Sequence, residues 1–217
     1  MPKKIVIFPY GGNARESLAC FFAINNINHV WDILGFIDDN RENVGKSCCG
    51  ISVLGGRDIL YEMPEIYVLA VQGNPLNHIK RKDIIEGLNI NKDRYSTIIH
   101  PNVVMAGDVQ IGYNTLIMSN TVIGSGVKIG NHCIMLPNSV VAHDTVIGDY
   151  CCIGANVTIS GNVRVEDSVY IASGTSIKDN LSIGTGVLIG LGSNVLKDVS
   201  SGQVVVGNPA KVLRVNQ

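Results

Sequence analysis

His143, followed directly by Asp144, is the pair in this chain whose side chains fit acid–base chemistry at neutral pH. An imidazole has an ordinary pKa of about 6.5, so it can take a proton and return it under working conditions. An adjoining carboxylate can fix its tautomer and raise its basicity. His132, the other histidine of this region, has no acid after it. In the series Gly107, Ser125, His143, Gly161, Asp179, the residues flanking the histidine are small, which leaves room for a ligand beside the ring. A further group has ligand-binding character: Asp38-Asp39 ends the run Ile33 to Ile37, and ligands of open α/β sheets bind at the carboxyl ends of parallel strands. Gly11-Gly12-Asn13 forms a glycine turn after the strand-like run Ile5 to Phe8.

The elements that position these residues follow from periodicity. From Met105 to Val195 every sixth residue is aliphatic, sixteen times running without an insertion. Four residues after each comes a second restricted position, from Val109 to Val199, holding only Val, Thr, Ser, Cys or Leu. A period of six fits neither a helix nor an alternating strand. It predicts a solenoid of short flat strands and tight corners, the hexapeptide β-helix, over roughly residues 102 to 199. Three hexads make one triangular coil, so residues eighteen apart stack. The tail, Gly202 to Gln217, leaves the repeat and is expected to cap it.

Before the repeat, strand-like runs alternate with helix-compatible ones. Ile5 to Phe8, Ile33 to Ile37 and Ile66 to Val71 read as strands, Ala14 to Asn25 and Asn77 to Gly87 as helices. That alternation predicts a small parallel βαβ sheet. The expected division is an α/β, Rossmann-like unit over 1–100 and a left-handed parallel β-helix with its cap over 101–217.

Composition narrows the function classes. Hydrophobic residues make up 46% of the chain and charged ones 16%, so disorder is not expected. A net charge of −1, without a Lys/Arg cluster, argues against a nucleic-acid surface. The opening MPKKIVIFPYGG shows no cleavage site, and no apolar run reaches membrane-spanning length. The pairs Cys48-Cys49 and Cys151-Cys152 lack C-x-x-C spacing, and Cys133 and Cys151 take inward positions one coil apart. All six cysteines therefore read as reduced small hydrophobes, which implies a cytoplasmic protein. A zinc hydrase on the same prism needs three histidines, two of them at H-x₄-H spacing. The spacing of His132 and His143 does not meet that, so no metal is expected. The turn Pro9-Tyr10-Gly11-Gly12-Asn13 is no dinucleotide fingerprint, which makes a nicotinamide enzyme improbable.

The order and spacing of several short segments resemble a known family. Gly-Gly-Asn-Ala-Arg-Glu (Gly11 to Glu16), Gly-Phe-Ile-Asp-Asp (Gly35 to Asp39) and Val-Leu-Gly (Val53 to Gly55) precede the hexads. Val-Val-Ala-His-Asp (Val140 to Asp144) and Gly-Asn-Pro-Ala-Lys (Gly207 to Lys211) follow. Together they are similar to the PglD/NeuD-type bacterial sugar acetyltransferases of the left-handed β-helix superfamily. The resemblance implies a trimeric enzyme that moves acetyl from acetyl-CoA to the amine of a nucleotide-linked amino deoxysugar, or, on the same scaffold, to a sugar hydroxyl. A non-catalytic binding scaffold is the remaining alternative. It also implies roles: His143 as general base, Asp144 as its supporting acid, and Gly11, Gly12, Asn13, Asp38 and Asp39 as contacts to the nucleotide sugar. Cys152, Ser173 and Leu191 fall where the family lines its acetyl-CoA groove. In the family the first turn usually carries glycines where this chain has Pro9 and Tyr10, and often a histidine where it has Asn13. Lys211 and Arg214 of the tail are basic candidates to meet the phosphates of CoA.

Overall fold

The computed structural model describes residues 1–215. Strand β1 (Lys3–Phe8) leads into helix α1 (Gly12–Ile27), then β2 (Trp31–Ile37), the hairpin β3 (Ser47–Cys48) and β4 (Ile51–Gly55), helix α2 (Ile59–Glu62), β5 (Tyr67–Ala70) and helix α3 (Arg81–Glu86). The sheet order is β3-β4-β2-β1-β5, parallel except for the β3–β4 hairpin. The expected parallel βαβ unit is therefore present. Helix α1 is longer than the apolar pattern alone indicated. The second expected helix is shorter, because His78–Lys80 forms a 3-10 turn before α3 begins.

From Ile98–Ile99 onward the chain forms two-residue strands that pair in parallel with strands one coil away, as in Leu116↔Ile134, Val122↔Val140 and Lys128↔Val146. They build the three sides of a prism. The first side runs through Leu116, Ile134, Cys152 and Tyr170, the second through Val104, Val122, Val140 and Thr158, the third through Gln110, Lys128, Val146 and Arg164. The hexad aliphatics Ile117 to Val195 and the small residues Val127, Cys133, Cys151 and Val157 fill its interior.

The corners explain the rest of the pattern. Every sixth residue from Asn114 to Gly192 has positive φ. Gly, Asn and Asp tolerate that conformation, and they hold all these corners except His132, Tyr150 and Ser168. The three exceptions stack in one column, on the edge of the prism beside the N-terminal unit. The tail turns back as an antiparallel hairpin, Gln203–Val206 with Lys211–Val215, whose first strand pairs onto Leu188–Ile189 and so extends the first side.

The N-terminal sheet covers the first side. Outward-facing Leu116, Ile134 and Cys152 share one buried cluster with Ile5, Leu18, Phe21 and Leu69. Polar contacts fix the seam. The Asn114 amide donates to Ala70 O at 2.9 Å and accepts from Ala70 N at 2.8 Å, continuing the edge of β5 onto the prism. Arg81 is fully buried and donates to the carbonyls of Gln72 and His132. His132 stacks on Tyr150 with ring centroids 4.7 Å apart, and burial pulls its pKa down to about 4, aided by the nearby Arg81 charge.

Candidate active site

His143 stands on the corner between the second and third sides, exposed to solvent. Its Nδ1 lies 2.9 Å from Asp144 Oδ2, so the carboxylate holds Nδ1 as the protonated nitrogen and leaves Nε2 as the basic one. Two glycines make room for this pair. A Cβ on Gly161, one coil above, would lie 2.5 Å from His143 Nε2, and one on Gly126, one coil below, 2.6 Å from Asp144 Oδ1. The imidazole thus lies across Gly161 and the carboxylate across Gly126.

Glycine at 161 has a second consequence. At other corners the middle N–H is satisfied by a side chain one coil above: Tyr113 N by Asn131 Oδ1, Asn131 N by Asp149 Oδ1, Ala155 N by Ser173 Oγ. Gly161 offers no side chain to His143, and Asp179 instead accepts from Asn180. Among the described residues the N–H groups of His143 and Gly161 have no partner. The corner therefore joins a base to backbone donors able to meet an oxyanion.

The second group gathers at the carboxyl ends of β1 and β2. Gly11 precedes α1 and supplies no side-chain cap, there is no acid in the helix's first turn, and the space over Gly11 and Gly12 is open. Uncapped N–H groups at the start of a sixteen-residue helix favour an anion. Asn13 donates its amide to Gly73 O at 3.2 Å.

The two acids are more occupied than the sequence indicated. Asp38 is buried and accepts from Tyr10 N, Asn40 N and Asn43 Nδ2 at 3.0, 2.8 and 3.1 Å. Asp39 takes Arg57 through its backbone N–H and its guanidinium, and that side-chain bond holds its carboxyl below the usual range. Asp38 braces the Tyr10 turn, Asp39 holds the segment after β4 through Arg57, and Arg57 had no signal beyond its place after β4.

Of the expected groove residues, Cys152 needs correction. It is buried between sheet and prism, and a Cβ on Gly73 would lie 3.1 Å from its sulfur, so it lines no open groove. Ser173 does face one: a cleft of about 680 Å³ between α1 and the corner joining the first and second sides, lined also by Arg15, Phe22, Cys49, Ser119 and Pro137. Leu191 is exposed on the same corner column. Lys211 and Arg214 are exposed in the cap. Among the described residues no group of three or more His, Cys, Asp or Glu is arranged to hold a metal, and no helix is long and apolar enough to cross a membrane.

One chain does not bring the two groups together. The N-terminal turn lies over the first side, and His143 projects from the opposite corner. Next to it, the second side exposes a stripe of Val104, Val122 and Val140.

The fold is a left-handed parallel β-helix of hexapeptide repeats joined to a small parallel βαβ sheet. Residues 110–143 and 126–161 match the family described as bacterial transferase hexapeptide (six repeats). Over its length the chain resembles WeeI from Acinetobacter baumannii AYE, 28% identical with a TM-score of 0.79, covering 98% of this chain and 100% of that one. It also has the fold of the acetyltransferase domain of PglB from Neisseria gonorrhoeae FA1090 in complex with acetyl coenzyme A (22% identity, TM-score 0.82, 98% and 100% covered). The same holds for GDP-perosamine N-acetyl transferase from Caulobacter crescentus, seen as a histidine-to-alanine mutant with CoA and GDP-perosamine (20%, 0.81, 98% and 97%). No curated protein sequence matches the chain.

Proposed function

We propose that this protein is an acetyl-CoA-dependent sugar N-acetyltransferase, acting on the primary amine of a nucleotide-linked amino sugar. The observation that carries the reading is the His143–Asp144 pair, with Nε2 free in the space left open by Gly161. The folds shared with an acetyl-CoA-bound acetyltransferase domain and with an N-acetyl transferase holding GDP-perosamine support it.

An ammonium group cannot attack a thioester. Nε2 of His143 takes the amine proton as the C–N bond forms, and Asp144 stabilises the imidazolium. The developing oxyanion meets the Gly161 N–H in the rung above, an effect worth on the order of 3 kcal/mol. CoA leaves as the thiolate, a tolerable leaving group given its ordinary thiol pKa of about 8.5. The transfer is direct. Cys151 is fully buried and burial pushes its thiol well up; Cys152 is likewise buried and raised, so neither serves as a nucleophile.

The acceptor's phosphates sit at the start of α1, over Gly11 and Gly12, with Asn13, Asp38 and Asp39 shaping the turn. Ser173 and Leu191, with the basic residues Lys211 and Arg214, belong to the CoA side. A second copy covers the Val104–Val122–Val140 stripe and brings its turn to His143. A homotrimer, with three such sites, satisfies both needs, in the cytoplasm of a bacterium where acetyl-CoA and nucleotide sugars are at hand.

Free-thiol release from acetyl-CoA against a panel of UDP-, dTDP- and GDP-linked amino sugars tests the reading, with sialic acid as the hydroxyl control. Turnover on one amino sugar is the expected result and names nucleotide and amine position together. Turnover on sialic acid alone moves the reaction to O-acetylation. Silence throughout, without CoA binding, overturns the enzyme reading.

A further inference from the structure

The β3–β4 hairpin turns on Cys49 and Gly50, with φ of 50° and 80°. Two left-handed central residues make the tight turn that Asn-Gly or Gly-Gly fills at least cost. Cysteine at the first of them adopts a backbone that side-chain-bearing residues seldom take. The position places its thiol. Cys49 Sγ lies 3.8 Å from Cys48 Sγ and is exposed on the rim of the α1 cleft, while Cys20, Cys133, Cys151 and Cys152 are buried. The hairpin also touches the first turn of the chain: Tyr10 donates its hydroxyl to Ser47 O at 3.0 Å, and its ring packs edge-on against Phe36. The residue before Cys48 is thereby tied to the residue before Gly11.

We propose that Cys48 and Cys49 form a thiol-modification site, oxidised by low-molecular-weight disulfides to a Cys48–Cys49 disulfide, whose closure displaces the Tyr10–Gly11–Gly12 turn. The exposed Cys49 thiolate attacks one sulfur of the small disulfide RSSR. The Cys49–S–S–R bond forms, the RS–SR bond breaks, and RS⁻ leaves and takes up a proton. Cys48 then gives its proton to solvent and attacks Cys49 Sγ; the Cys48–Cys49 bond forms and the second RS⁻ leaves. Two protein thiols are oxidised, and one small disulfide is reduced to two thiols. Partial burial and the neighbouring thiol raise the pKa of Cys48, which keeps it a thiol while the exposed Cys49 makes the first attack. Adjacent Cα atoms are about 3.8 Å apart, short of the usual disulfide span of about 4.4–6.8 Å, so the closed ring is strained and easily reduced. The modification is reversible for that reason.

Native protein is treated with oxidised glutathione, quenched with iodoacetamide and mapped by peptide mass spectrometry. The peptide carrying both residues is expected to become lighter by about two mass units and to carry no alkylation, with dithiothreitol restoring both alkylation sites. Cys48→Ser is expected to stop at a glutathione adduct on Cys49. Full alkylation of both residues after oxidation, or a wild-type protein that stops at the Cys49 adduct, overturns the site. Hydrogen exchange of a peptide spanning residues 8 to 13 reads the coupling: a change on oxidation in wild type that disappears in Tyr10→Phe supports it, and unchanged exchange in wild type overturns it.

Discussion

His143 depends on what its neighbours lack. Its ring lies where any side chain at 161 would stand, so Gly161→Ala pushes Nε2 aside. A misplaced base costs on the order of 10²-fold in turnover, whereas Gly107→Ala, on the same corner column with nothing near its Cβ, leaves kcat unchanged. Steady-state kinetics of the two variants separates a positional requirement from a general loss of stability. Asp144→Asn keeps the shape but loses the charge that holds Nδ1–H and stabilises the imidazolium. Its kcat/KM is expected to fall at least 10-fold; a kcat/KM equal to that of wild type would remove Asp144 from the mechanism.

At the scale of elements, the seam between sheet and prism carries a buried histidine whose charge is unwelcome. His132 has its pKa lowered to about 4, so protonation costs the folded state. A depressed histidine gives full stability above about pH 6.5 and loses it progressively as the pH falls towards 4. The loss reaches up to roughly 3 kcal/mol at the acid end, taking about 1.4 kcal/mol for each tenfold change in proton affinity. Thermal denaturation from pH 7 to pH 4 is expected to show a steeper fall in Tm for wild type than for His132→Asn, a residue the left-handed corner accepts; parallel curves would contradict this. The corner itself was legible, because Asn, Asp and Gly recur every sixth residue, and so was the inward face of every strand. What covers the outward face was not. Cys152 reads as an outward residue in the repeat, and only the N-terminal sheet, distant in sequence, makes it core. Asp38 and Asp39 show the same limit. Their place at a strand end was plain, but the Tyr10, Asn43 and Arg57 groups that occupy them come from separate loops. Replacing both acids by alanine should therefore raise the acceptor KM well above any change in the acetyl-CoA KM, through a loosened turn; equal effects would count against that turn as the acceptor site.

For the whole molecule, the prism separates the two candidate groups. The N-terminal turn and His143 lie at opposite parts of one chain, and an apolar stripe beside His143 remains uncovered. Substituting Val122 and Val140 by Lys is expected to yield a folded monomer with under a hundredth of wild-type turnover, read by light scattering and kinetics, since burying like charges across an interface is costly. A monomer that retains full activity would show that one chain suffices. The central claim is that His143 takes the proton of the attacking amine. The most direct test is acetyl-CoA thiol release by wild type and His143→Ala, at saturating acceptor, with assembly state measured on the same samples. The expected result is a 10²–10⁴-fold loss of kcat with assembly unchanged. Retention of more than about a tenth of wild-type kcat, well above that range, would contradict the mechanism.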